Sequence, residues 1–526
     1  MTLKKIKEKI SSIYNLTLFD NSKYSKIFFS ILALIILFSI LSYVGVFKFI
    51  HERPNSIHHS SFCQRASIAQ NYYETDMNFF KPKINRFIEG EGITGCEFPI
   101  IYYVVAILYK IFGFNEIFFK LIGIMLYITG SIAFLSLIKM YIKNFIVAVL
   151  IFMSVFMSPM IFYYMSAFNP DMPSLFLTLI AWYSFFKYLN GGKFYHFNFF
   201  LVWTTLACLL KVIAIMQIGI VILIILLNYI GFFKDKYPQL KANFWKLITK
   251  VIVCILIILS WYIYARWLVK HYNVNSFALG VVMAKNANEV KEIFEYVKNL
   301  WLYQYYGYET YVLLIAAFFG SLLLIKFSNR ILLVITISYI LGSIAYVTLF
   351  SVQFKHHDYY ILPVLPTAFF LVLMLADILN AISKNKNQII MIIFGIILIF
   401  NIKETIAKCK SHYEKRLFYE ADYNASMFLR PYFDLETKLR KLNIKRSDKV
   451  ISAFDNSFCS TLYLMNQTGE IIYPECKRED IERLLSHPDV KYLIVNDLEK
   501  LTSIYPVDLK NRLIGCHRGL LIYKLK

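Results

Sequence analysis

Proline and glycine are scarce in this 526-residue chain, at 13 and 19, which excludes collagen-like, disordered and other low-complexity classes. Charge is scarce as well: 17% of the residues against 58% hydrophobic, too little polar surface to coat a soluble fold of this size. The eight cysteines (63, 96, 208, 254, 409, 459, 476 and 516) form no CxxC and no Cys/His spacing that a zinc site needs, so mostly free thiols are expected. Cys63 and Cys96 fall in one loop, and their pairing stays open.

What is plentiful is apolar and aromatic, with 47 Phe and 39 Tyr, and lipid is the solvent that suits it. Residues 27–47 carry no charge, and at about 1.5 Å per residue they match a hydrocarbon core of roughly 30 Å. A basic head (Lys4, Lys5, Lys7, Lys9) precedes them, and the run is too long for a signal-peptide core, which makes it an uncleaved first span. Further apolar stretches recur near 115–138, 144–164, 171–187, 195–210, 212–232, 248–268, 309–325, 331–350, 359–382 and 388–402. The expected fold is therefore a polytopic α-helical membrane protein of about eleven transmembrane helices.

Threading those spans from a cytoplasmic N-terminus places Lys139 with Lys143, Lys187 with Lys193, the run 234–246, Lys326 with Arg330, and Lys384 with Lys386 inside. Each inside loop is basic, as the positive-inside rule requires. The excess of 56 Lys and Arg over 34 Asp and Glu is thus mostly loop charge, and nucleic-acid binding is not expected. Residues 99–113 are apolar but short and are assigned to the interface; a span there would invert every later loop.

The spans fill residues 1–402, with a long first extracytoplasmic loop at 48–114. Residues 403–526 differ: charges become frequent, and short β-like runs (449–453, 461–465, 491–495, 519–523) alternate with amphipathic helices near 434–442 and 477–485. They are expected to form a soluble extracytoplasmic α/β domain, and they carry neither GxGxxG nor GxxxxGK, so no nucleotide site is implied.

Polar residues that are costly near lipid gather at one face of this topology rather than at mid-span, where a transporter would hold its cargo. Glu97, Asp171, Lys211, His356, His357 and Asp358 lie at span ends, joined by Arg65, Glu74, Asp76, Lys81, Lys83, Arg86, Glu89 and Glu91 of the first loop. Such an interfacial pocket suits transfer of a group from a phosphate anchored by an isoprenoid chain. Cations hold the leaving phosphate while a carboxylate takes the proton of an incoming hydroxyl.

Five motifs, in order, carry a resemblance: residues 62–73 (FCQRASIAQNYY), 78–82 (NFFKP), 95–103 (GCEFPIIYY), 169–173 (NPDMP) and 357–363 (HDYYILP). Together they resemble the GT-C membrane glycosyltransferases of the protein O-mannosyltransferase and lipid A aminoarabinose transferase superfamily over roughly residues 26–400. The resemblance implies an inverting transferase with a polyprenyl-phosphate sugar donor, a lipid, glycan or protein acceptor, and a bacterial plasma-membrane location. It marks Glu97 and Asp171 as the catalytic carboxylates. Arg65, Lys211, His357, Asp358 and Gln64 are the expected contacts to the donor's phosphate and sugar. Gln64 stands where relatives often have an aspartate, and Phe98 where a lysine often follows the matched glutamate. No cofactor is required by these residues, and a divalent metal at the His356–His357–Asp358 turn stays open. The competing readings are a lipid-linked glycan polymerase or ligase, and a flippase or transporter of lipid-linked glycans.

Overall fold

The computed structural model describes residues 23–274, 277, 280–386, 389–418, 423–507, 509 and 511–526; the basic head at Lys4 to Lys9 lies outside them. Among the described residues, seven helices are long and apolar enough to cross a membrane: Ile27–Val44, Ile117–Tyr141, Val212–Tyr229, Phe244–Tyr272, Arg330–Leu349, Asp358–Ser383 and Ile389–Leu417. Two more spans arise if bent pairs are counted as one each, Phe145–Phe156 with Pro159–Met165 (78°) and Ala287–Tyr305 with Tyr308–Leu323 (96°). The two remaining stretches of the expected eleven are helices as well, Asp171–Gly191 and Phe194–Leu210, packed on each other. The second has 17 residues; the first has 21 but is less apolar than the seven. The protein is a polytopic membrane protein with a C-terminal α/β unit.

Local sequence explains where these helices stop. Asn144 and Asn329 cap their helices through side-chain oxygens that accept from Val147 N and Ile331 N. Gly192, at φ 66°, closes Asp171–Gly191 in the left-handed conformation that glycine adopts without penalty. Lys211 is extended (φ −147°), and this break ends Phe194–Leu210 before the chain re-enters a helix at Val212. Deep in the bundle Trp182 is fully buried and donates from Nε1 to Tyr339 Oη at 2.7 Å, satisfying the polar end of a large side chain.

The helix Ile100–Phe112 does not cross the bundle. Phe98 N, just before it, donates to Leu209 O, and Glu116, just after it, bonds Arg53 and Tyr463, so both of its ends lie at the end of the bundle that carries the C-terminal unit. Its 13 residues instead lie against the first-loop helix His59–Glu74, with the Tyr72 and Tyr103 rings 5.3 Å apart.

The C-terminal unit is a five-stranded sheet of β1 (Lys449–Ala453), β2 (Gly469–Ile472), β3 (Val490–Val495), β4 (Leu513–His517) and β5 (Leu520–Lys524) in the order β2-β1-β3-β5-β4. The β1 strand is parallel to β2 and β3, while β5 runs antiparallel to β3 and β4. The run 461–465, expected as a strand, is a helix instead, Ser460–Leu464. Asp455 accepts from Thr461 N at 3.0 Å and from the Thr461 hydroxyl at 2.7 Å, which starts a turn, and a short fully buried apolar run fits either element. All eight cysteines are free, so Cys63 and Cys96 are buried thiols and not a pair.

Candidate functional site

The first loop turns inward at Ser56, whose φ of 73° is uncommon outside glycine, and then enters the helix His59–Glu74. Residues three and seven positions apart share one face of a helix, which brings His58, Ser61 and Arg65 to the same wall. All three line a cavity of about 830 Å³, as do Gln64 and Glu97. Lys211, Tyr262 and Arg266 line it as well, and so do His356, His357, Tyr359 and Tyr360 from one turn. Phe277, Val281, Tyr296 and Trp301 from the 269–308 loop line it too, as do Leu259 and Ile263. Trp301 is fixed by its Nε1 bond to Lys355 O at 3.2 Å.

Glu97 is pinned from three directions. Gly95 lies so close to the Phe244–Tyr272 helix that a Cβ there would sit 1.9 Å from Ala265 O, a place only glycine fills. Cys96 O accepts from Trp261 Nε1 at 3.1 Å, and Phe98 N donates to Leu209 O at 3.0 Å. The carboxylate so placed takes Arg65 Nε at 2.7 Å and the Tyr102 hydroxyl on the same oxygen. Burial by itself would raise the Glu97 carboxyl; Arg65 and the Tyr102 hydroxyl outweigh it and hold it below the usual glutamate range. Arg65 also reaches Ser61 O and lies 5.5 Å from the Phe277 ring.

Asp171 opens the helix Asp171–Gly191, its backbone N donating to Asn169 Oδ1 at 2.7 Å. Its side chain is fully buried behind Lys211, whose Nζ lies 2.7 Å from Asp171 Oδ1. Burial would lower the Lys211 ammonium, and Asp171 outweighs that and raises it, so Lys211 stays charged. The ammonium also lies 4.7 Å from the Tyr360 ring centre and 5.6 Å from that of Tyr359. Lys211 lines the large cavity; Asp171 lines only a small neighbouring void of about 20 Å³.

Asp358, expected as a contact to the donor, is placed elsewhere. It has no exposure, does not line the cavity, and accepts from His58 Nε2 at 2.9 Å, from the Tyr164 hydroxyl and from Arg416. A buried carboxylate needs such partners, and Arg416 reaches it because the helix Ile389–Phe418 runs on well past the apolar stretch that ends near 402. His357 does line the cavity, but as a neutral ring: burial first, then His58 and Lys211, push its imidazole down to about 3. Adjacent His356 and His357 would point apart on a regular helix, yet both face the cavity because the helix Ser351–His356 ends between them. Among the described residues no group of three or more His, Cys, Asp and Glu is arranged to hold a metal ion.

Most of the charged first-loop residues serve contacts away from the cavity. Lys83 pairs with Asp76 and Glu91, Arg86 with Glu470, and Glu89 with His487, while Glu74 accepts from Asn466. The loop is thereby the platform of the C-terminal unit, and among the described residues none of that unit lines the cavity. Sequence reasoning missed His58 and Arg266. The seven-residue spacing of His58 from Arg65 is a signal for the first; for the second the signal is a charge inside an apolar span, which is costly unless it faces a polar cavity.

No protein-family model matches the chain, and no curated protein matches it. Solved structures do. ArnT from Cupriavidus metallidurans in the apo state is similar to it at TM-score 0.59 and 10% identity over 94% of this chain and 98% of that one. The same protein bound to undecaprenyl phosphate gives 0.54 and 10% over 95% and 98%. The Archaeoglobus fulgidus oligosaccharyltransferase in complex with Zn and sulfate gives 0.50 and 10% over 88% and 68%. Likeness at such identity speaks to the fold, and the fold is the GT-C one expected from the motifs.

Proposed function

We propose that this chain is an inverting glycosyltransferase that moves a sugar from a polyprenyl-phosphate donor to a hydroxyl acceptor on lipid, glycan or protein. The observation that carries the reading is the make-up of one cavity. Arg65 and Lys211 stand in its wall as cations, each held by its own carboxylate, while exposed Leu259, Ile263 and Val281 line it on the side of the lipid-facing helix surface. Phosphate fits between the cations, and an isoprenoid chain leaves past the apolar residues into bilayer, where each buried methylene contributes about 0.8 kcal/mol. A volume of about 830 Å³ accommodates the sugar and phosphate head. The undecaprenyl phosphate held by the similar ArnT structure supports the same class of donor.

In this reading the acceptor oxygen attacks the anomeric carbon from the face opposite the phosphate, whose bond to the sugar breaks with its electron pair. Arg65 and Lys211 stabilise the charge that grows on the leaving phosphate. Glu97 and Asp171 enter catalysis by fixing those two cations. Gln64, half-buried beside Arg65, and neutral His357 hydrogen-bond the sugar or phosphate oxygens without adding charge. The cavity faces the extracytoplasmic side of a bacterial plasma membrane, with the N-terminus cytoplasmic and the C-terminal unit outside, where it positions the acceptor.

The test is transfer of labelled sugar by purified protein in vesicles. The expected outcome is transfer from undecaprenyl-phosphate monosaccharide, reduced about 100-fold in kcat/KM by Lys211→Ala or Arg65→Ala. Transfer from pyrophosphate-linked oligosaccharide alone would move the reading to a polymerase or ligase, and no transfer from either would overturn it.

A further inference from the structure

A sugar transfer of this kind needs a group that accepts the proton of the attacking hydroxyl, and the expected candidates are already engaged. Glu97 is bound by Arg65 and Tyr102, Asp171 stands behind Lys211, and the Gln64 amide has no basic atom. Three histidines stand on the cavity wall, His58, His356 and His357, and among the described residues His58 is the one whose ring is held by a carboxylate. His58 lines the cavity, and its Nε2 lies 2.9 Å from Asp358 Oδ1. Asp358 accepts at the same time from the Tyr164 hydroxyl and from Arg416, so it is an acceptor for the ring as well, and the ring proton resides on Nε2. The nitrogen left to a ligand is Nδ1, with a lone pair.

Resting on the transferase reading above, we propose that His58, oriented by Asp358, is the catalytic base of the transfer. Nδ1 takes the proton of the acceptor hydroxyl; that oxygen forms its bond to the anomeric carbon; the carbon–oxygen bond to phosphate breaks, and its electron pair stays on the polyprenyl phosphate. The imidazolium so formed lies against the Asp358 carboxylate and later returns its proton to water. Asp358 is a positioning residue: it fixes which ring nitrogen carries the proton and stabilises the charged ring. The groups that face His58 are Asp358 and His357 from the 357–358 turn (rings of the two histidines 5.9 Å apart), Tyr359 at 5.1 Å, Tyr164 at 6.3 Å and Phe62 at 6.4 Å. Among them only Asp358 accepts from the ring, so it decides the tautomer. His58 is the N-cap of the helix that carries Arg65, and both line the cavity, which sets the base and a phosphate-binding cation in one site.

The experiment measures kcat, donor KM and the pH profile of sugar transfer for the full chain in vesicles. The probes are tritiated undecaprenyl-phosphate hexoses, pentoses and aminopentoses, with membranes of the expressing cells as acceptor. Wild type should show kcat rising with pH along an acid limb. His58→Gln should lower kcat about 100-fold with donor KM within about threefold, and should abolish that limb. Asp358→Asn should lower kcat less and displace the limb, a change that a purely structural role would not produce. His58→Ala should regain activity on addition of imidazole, an arm that stands even where the glutamine variant folds poorly. Wild-type kcat in His58→Gln, or an unmoved acid limb together with no imidazole rescue, would overturn the base assignment while the transferase reading survives. No transfer by wild type would instead overturn the transferase reading, and this inference with it.

Discussion

Asp171 and Lys211 show how a single residue can matter without touching a ligand. The carboxylate is fully buried, and its role is to keep an ammonium charged and pointed at the cavity. Asp171→Asn should destabilise the protein by about 3 kcal/mol, read from thermal unfolding in detergent, because it leaves Lys211 unpaired in a poorly solvated place. Asp171→Asn with Lys211→Met should recover most of that stability and none of the transfer activity. His357 yields a pH prediction. Its folded-state value of about 3 lies below the ordinary 6.5, so between those values the unfolded chain binds a proton that the folded chain refuses, and stability rises with pH across that window. Melting temperatures compared at pH 7 and pH 4.5 should differ less in His357→Gln than in wild type; an equal difference would contradict a neutral, buried ring. Glu97 and Lys211 were legible in the sequence because charge beside an apolar run is costly, and Arg65 because it lies in the motif at 62–73. Asp358 was legible only as polar: its neighbours in sequence say nothing of Arg416, 58 positions on, which claims it.

At the scale of elements, the site is assembled by interruptions. The extended backbone at Lys211 turns one helix into two and puts a cation at the break, and the end of helix Ser351–His356 turns two histidines to one side. The close approach at Gly95 seats Glu97 against Trp261 and Leu209. Gly95→Val should therefore displace the Glu97 loop, lowering transfer at least about tenfold and the melting temperature by several degrees; wild-type values of both would show that the contact with Ala265 yields freely. Hydrophobic run length made the spans readable, since lipid demands it whatever the tertiary packing. Run 461–465 misled for the opposite reason: five buried residues carry too short a pattern to separate strand from helix, and Asp455, outside the run, decides.

Over the whole molecule, groups that lie up to 303 positions apart in sequence converge at one end of a helical bundle, Ile57 and Tyr360 marking the extremes of the cavity lining. The C-terminal unit sits at that same end, held through Arg86–Glu470, His59–Ser460 and the Arg53–Glu116–Tyr463 node. The convergence at one end follows from the order of apolar runs along the chain, whereas the bonds between first loop and tail lie between segments hundreds of residues apart, where no local pattern reports them. The most direct measurement is a cryo-electron microscopy structure of the protein with undecaprenyl phosphate. The account expects phosphate density between Arg65 and Lys211, with the chain leaving past Leu259 and Ile263. Phosphate density anywhere else, with these two cations still closed on Glu97 and Asp171, would contradict it.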